Sequence, residues 1–143
     1  MNKQDTGVFS IPDGFVRNDG SSSFAAHTGP YYQKITADNK MIRGFRVAKI
    51  HLNATNFTHG GMLMTFADGA MAATVVHETG RRCVTLKMNS EFLSSAFEGD
   101  WIEGHFDVLR TTKTIAFVQG GLVARGKMIF KCDGIFHFVR ARS

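Results

Sequence analysis

Between Met62 and Val76 the only charged side chain is Asp68. Eleven of those fifteen residues are apolar (Met62, Leu63, Met64, Phe66, Ala67, Ala70, Met71, Ala72, Ala73, Val75 and Val76), and they occupy every side of a helical wheel. A helix that is apolar all round is expected to be buried. An ionised carboxylate within one carries a heavy desolvation cost unless it is paired, hydrogen-bonded or lining a cavity. Asp68 therefore needs an explanation and is the first candidate for chemistry. Immediately upstream stand Asn53, His59, Gly60 and Gly61. A helix N-terminus offers unpaired backbone N–H groups and a positive dipole end, which suit an anion or a developing oxyanion. Gly60 and Gly61 would let a carbonyl approach that backbone, and Asn53 and His59 could orient a carbonyl or a water molecule. The plainer alternative is a tight Gly-Gly turn with a locally hydrogen-bonded His59.

Spacing sharpens the reading. Asp68 follows Gly60 by eight residues, roughly 12 Å along one helix. One copy of the chain cannot bring both groups to one carbonyl. Two antiparallel copies of the helix in a symmetric dimer would, and would do so twice, because such an interface is isologous.

The elements that must position these residues follow from pattern. Residues 1–28 read as an irregular arm, with the small polar run Asp19-Gly20-Ser21-Ser22-Ser23 and a short helix near Phe24 to His27. Gly29-Pro30 breaks the chain before a strand at Tyr31 to Ile35, and a second strand is expected at about Gly44 to Leu52. Gly60-Gly61 opens the long helix and Gly80 closes it as a C′ glycine. Strands are expected afterwards at Val84 to Asn89, Trp101 to Leu109, Ile115 to Val123 and Met128 to Val139, with Val84, Leu86 and Met88 alternating against Thr85, Lys87 and Asn89. That order predicts an α+β domain, residues 29–143, in which a curved antiparallel sheet wraps one central helix.

The totals narrow the setting. At 143 residues, 43% of them apolar, the chain can fill one core and not two. Cys83 and Cys132 fit neither a zinc spacing nor a disulfide framework, so both are expected as small buried hydrophobes in a reducing, cytoplasmic setting. The opening residues lack a secretory apolar core, and the helix is shorter than the ~20 apolar residues of a membrane span, so no membrane partner is expected. The net charge of +5 is scattered, which argues against nucleic acid. No metal site or cofactor is expected. The chain contains no G-x-S-x-G, H-E-x-x-H or P-loop motif.

The pattern Asn53-x5-His59-Gly60-Gly61-x6-Asp68 resembles the hotdog-fold acyl-CoA thioesterases of the phenylacetate-degradation type, relatives of 4-hydroxybenzoyl-CoA thioesterase. The resemblance covers about residues 29–139, and Val84 to Asn89 and Val108 to Phe117 are similar to family strands. It implies a sheet of about five to six strands around the helix, a homodimer or a dimer of dimers with sites at the interface, and hydrolysis of an acyl-CoA to a free acid and CoA. Aryl and medium-chain acyl groups are candidates, and CoA enters as part of the substrate. By the same resemblance the Gly60 N–H polarises the thioester carbonyl, and Asp68 of the other subunit is base or nucleophile. Asn53 holds the water or the thioester, His59 supports it, and Thr85 stands where relatives carry a hydroxyl near the carboxylate. Arg110, Thr111, Thr112 and Lys113 are implied CoA contacts, as are Ser95 and Phe97, with Arg140 and Arg142 adding to a basic rim. Asn56 departs from the glycine that many relatives carry there. Met62, Met64, Phe66, Phe92 and Phe57 offer surface for the acyl group. Two other readings remain at this point: a non-catalytic acyl-CoA binder, and a hydratase suggested by the Asp100-x4-His105 spacing, whose members point to opposite faces of a strand.

Overall fold

The long helix owes its place to an apolar face rather than to propensity, since three glycines and three threonines interrupt its Ala, Met and Leu residues, and it is closed at both ends by local geometry. In the computed structural model, which describes residues 10–140, helix α2 spans Gly60–Thr79, preceded in chain order by helix α1 (Ser23–Thr28). His59 caps the start of α2 by accepting the Gly61 N–H, and Gly80 stops it at φ 70°, the left-handed conformation in which a glycine has no Cβ penalty. The strands are β1 (Val16–Arg17), β2 (Tyr32–Ile35), β3 (Met41–Arg46), β4 (Cys83–Phe92), β5 (Trp101–Thr111), β6 (Ile115–Ala124) and β7 (Lys127–Phe138). They form one antiparallel sheet in the order β1-β2-β3-β5-β6-β7-β4. This is the expected helix-in-sheet arrangement, with seven strands in place of five to six. The additional pairing comes from β1, inside the segment read as an irregular arm.

Helix α2 lies against β3 through β7. Along β7, Phe130, Cys132, Gly134, Phe136 and Phe138 are buried while Lys131, Asp133 and His137 are exposed, the period-two signature of a sheet covered on one face. Glycine lets the helix come close. A Cβ on Gly104 of β5 would sit 3.1 Å from the Ala70 Cβ, and one on Gly134 of β7 would sit 3.1 Å from the Met71 sulfur. Met62, Leu63, Phe66, Ala67, Ala70, Met71 and Val75 join Phe45, Ile102, Val118, Leu122, Phe130 and Phe136 in a single core.

Three expectations require correction. The second strand covers Met41–Arg46, not Gly44 to Leu52, because the chain turns at Lys49–His51. His51 drives the turn. Its Nδ1 accepts the Ala48 N–H at 3.0 Å, its Nε2 donates to the Thr28 carbonyl at 2.6 Å, and the ring is buried edge-on to Phe45. Second, α2 is not buried all round. Gly61, Gly69 and Val76 are exposed, and Thr65, Asp68, Ala72 and Ala73 are half-covered. Third, Val84 and Leu86 face solvent rather than core. Strand β4 is a sheet edge and its register shifts between Thr85 and Lys87, which breaks the simple alternation.

Candidate active site at the ends of the central helix

The start of α2 presents one free donor. His59 Nδ1 accepts the Gly61 N–H at 2.8 Å, whereas among the described residues no acceptor meets the Gly60 N–H. Phe92 of β4 lies over that point, so a Cβ on Gly60 would approach its ring to 3.1 Å. Asn53 organises the preceding loop. Its side-chain oxygen accepts from the Thr55 N–H at 3.0 Å, the Thr55 hydroxyl at 2.9 Å and the Phe57 N–H at 3.1 Å. With the oxygen engaged, the Asn53 amide NH2 is the group left for a ligand. Asn56 sits at φ 64°, a left-handed position that asparagine tolerates better than most residues, which explains how it stands where a glycine would serve.

Asp68 lies two turns further along and receives the Thr85 hydroxyl hydrogen at 2.5 Å. The bond joins α2 to the edge strand β4. Because α2 runs unbroken through Gly60–Thr79, Gly60 and Asp68 of one copy stay about 12 Å apart.

The residues read as CoA contacts separate into two groups. Ser95 and Phe97 sit beside the Asn53 loop: the Thr58 N–H donates to the Ala96 carbonyl, the Phe57 and Phe97 rings meet at 5.5 Å, and Arg125 Nη2 donates to the Ser95 carbonyl at 3.0 Å. Arg110, Thr111, Thr112 and Lys113 are exposed on the β5–β6 hairpin, at the opposite end of α2. The Thr112 hydroxyl closes its own turn by accepting the Ile115 N–H at 3.0 Å. Arg81, just past the helix, donates through both terminal nitrogens to the Lys113 carbonyl at 3.2 Å and stacks 3.8 Å from the Phe138 ring centre. Arg82 and Arg140 line the same basin, and Arg142 lies outside the described residues. Asp100 and His105 do not meet. Asp100 accepts the Phe97 N–H and pairs with Arg125, while His105 pairs with Glu103 at 3.1 Å.

The sequence model of the thioesterase superfamily matches residues 55–129, which contain Gly60, Asp68 and Thr85 together with β4, β5 and β6. The chain belongs to the thioesterase superfamily. Acyl-coenzyme A thioesterase 13 of Homo sapiens is 34% identical over 96 residues, 65% of this chain and 69% of its own. Protein PA0474 of Pseudomonas aeruginosa is 27% identical over 132 residues, 91% of this chain and 98% of its own. Among solved structures, a mutant of the phenylacetic acid degradation protein PaaI from Thermus thermophilus superposes with a TM-score of 0.73 at 19% identity, covering 82% of this chain and 100% of that one.

This thioesterase is thus a thioester hydrolase with the hotdog arrangement. Two residues that line the candidate site escaped sequence reading. Arg81 stood in a visible basic group, Arg81, Arg82 and Lys87, but nothing local announced its hold on the β5–β6 turn. Arg43 sits mid-strand and lines a cavity with Asp68, with no motif around it.

Proposed function

We propose that the protein hydrolyses acyl-CoA thioesters at sites shared between two antiparallel copies. The observation that carries this reading is the pairing of Asp68 with Thr85 on a helix whose own free N-terminal donor, Gly60, lies about two turns away. A second copy brings its Gly60 to that carboxylate. The strip of α2 left exposed or half-covered, with Gly61, Thr65, Asp68, Ala72 and Val76, supports such pairing. So does the split between the two groups of CoA-contact residues, since antiparallel pairing puts Ser95 and Phe97 of one copy on the same side as the β5–β6 hairpin of the other. The names of relatives, an acyl-CoA thioesterase among them, agree with the substrate class.

In this reading the Gly60 N–H meets the thioester oxygen and stabilises charge that develops only in the transition state. Asp68, oriented by the Thr85 hydroxyl, accepts a proton from water as it attacks, or attacks the acyl carbon itself. In the base route water forms the new C–O bond as the C–S bond breaks, and the proton taken by Asp68 passes to the leaving thiolate. In the nucleophile route Asp68 forms a mixed anhydride as the C–S bond breaks, and water then cleaves it, freeing the acid and Asp68 and supplying the proton to the thiolate. Asn53 donates its amide to the water or the carbonyl. From Asp68 to Gly80 is about 18 Å along the helix, so a pantetheine arm running that way reaches Lys113, Arg110, Arg81 and Arg140, whose donors suit phosphate oxygens.

The test is free-thiol release from short-chain, medium-chain, long-chain and aryl acyl-CoAs. Asp68→Asn is expected to lower kcat by at least about a hundredfold. Near-wild-type turnover in the folded variant removes Asp68 from the mechanism, and tight acyl-CoA binding without thiol release would identify a binding protein.

A further inference from the structure

Arg43 of β3 is a half-buried cation that forms no ion pair among the described residues. The ion pairs among the described residues are Arg17–Asp19, Lys40–Asp107, His105–Glu103 and Arg125–Asp100, and Arg43 takes part in none of them. Its Nη1 donates to the Asn18 carbonyl at 3.0 Å and, at the limit of hydrogen-bond length, to Gln33 at 3.5 Å, while its buried Nε has no acceptor. The acid nearest in influence, Asp19, is committed elsewhere: one carboxylate oxygen accepts the Tyr31 N–H and the other pairs with Arg17, both at 2.8 Å. The guanidinium lies 5.8 Å from the centre of the Tyr31 ring. A half-buried guanidinium whose Nε lacks an acceptor keeps the capacity for an anionic partner, and a carboxylate is the partner whose geometry it matches best.

The same side chain lines a cavity of about 290 Å³ between α1 and α2, walled by Phe24, Ala25, Tyr31 and Phe66 and containing Asp68 in its lining. That volume lies at the low end of ligand pockets, roughly 300–1,000 Å³, so the occupant is a short group. Resting on the thioesterase reading above, we propose that this cavity receives the acyl chain and that Arg43 selects short acyl groups ending in a carboxylate. The thioester carbon sits at Asp68, the apolar walls hold the methylenes, and the distal carboxylate pairs with the guanidinium. Hydrolysis then consumes one water. The C–S bond breaks, the new C–O bond makes a second carboxylate, and the products are a dicarboxylate and CoA thiol.

The experiment compares kcat/KM for adipoyl-CoA and hexanoyl-CoA, which differ only at the far end of the chain, in the wild-type protein, Arg43→Lys and Arg43→Met. The wild-type protein is expected to favour adipoyl-CoA by at least about tenfold, the scale of one hydrogen bond to a charged group. In Arg43→Met that ratio should fall to about one or below, mostly through KM, with Arg43→Lys in between. A purely structural role for Arg43 would lower both activities together and leave the ratio untouched. Turnover of hexanoyl-CoA without any adipoyl preference in the wild-type protein overturns the proposal and leaves the thioesterase reading standing. That comparison needs no variant to fold. Absence of thiol release from both substrates and from the wider acyl-CoA panel overturns both.

Discussion

At the scale of single residues, the Thr85–Asp68 bond is the contact on which the proposed chemistry leans most. A hydrogen bond to a charged group contributes about 1.5–3 kcal/mol, and here the Thr85 hydroxyl on the edge strand lies 2.5 Å from the carboxylate oxygen. Thr85→Val should therefore reduce kcat by about tenfold or more with little change in KM, and Thr85→Ser should restore most of it; steady-state kinetics on one acyl-CoA checks both. A second residue-scale prediction concerns stability. Burial holds the His51 imidazole below its ordinary value of 6.5, against a smaller opposing effect from its bond to the Thr28 carbonyl. The unfolded chain takes up this proton near the ordinary value, while the folded chain resists it. His51 therefore leaves stability intact above that pH and subtracts from it as pH falls towards the folded value. The thermal midpoint should decline between about pH 7 and pH 5, and the decline should be shallower in His51→Gln.

At the scale of elements, the helix and the sheet are matched by the absence of side chains where they touch. Gly104 faces Ala70, with Leu122 and Phe106 also within 3.5 Å of an added Cβ. An alanine methyl on a helix has no rotamer to escape into. Gly104→Val should accordingly cost about 1–3 kcal/mol by overpacking, read as a lower urea midpoint with an unchanged slope. Much of this level was readable beforehand. The bounds of α2 follow from Gly60-Gly61 and Gly80, because caps act within a turn or two of the backbone they close. The second strand was misread for a reason of range. Its end is set by His51 reaching Thr28, 23 residues earlier, and no window of alternation contains that contact.

At the scale of the whole molecule, the proposed mechanism gives one chain two incomplete halves of a site. If two copies complete it, mixing two inactive variants should restore activity. Asp68→Asn keeps its Gly60, and Gly60→Pro keeps its Asp68 while losing the N–H at a helix position that proline accepts. After unfolding and joint refolding, an equal mixture should recover about a quarter of wild-type thiol release, since half of the dimers are mixed and each mixed dimer has one intact site. No recovery above the separate variants would rule out a site shared across subunits.

The sequence by itself determined the central helix and its ends, the β-rich remainder, the isolation of Asp68 and the donor at Gly60, because periodicity, caps and a lone charge in an apolar run are short-range facts. It also marked Thr85 as a candidate, through resemblance alone. Only the tertiary structure decided that Thr85 faces Asp68, which depends on how β4, 17 residues away, lies against α2. It likewise decided that one strip of a mostly apolar helix stays exposed or half-covered, and that Arg43 lines a cavity with Asp68 and forms no ion pair among the described residues. Those outcomes depend on strand register and packing between distant segments, where a shift of one residue sends a side chain to the other face.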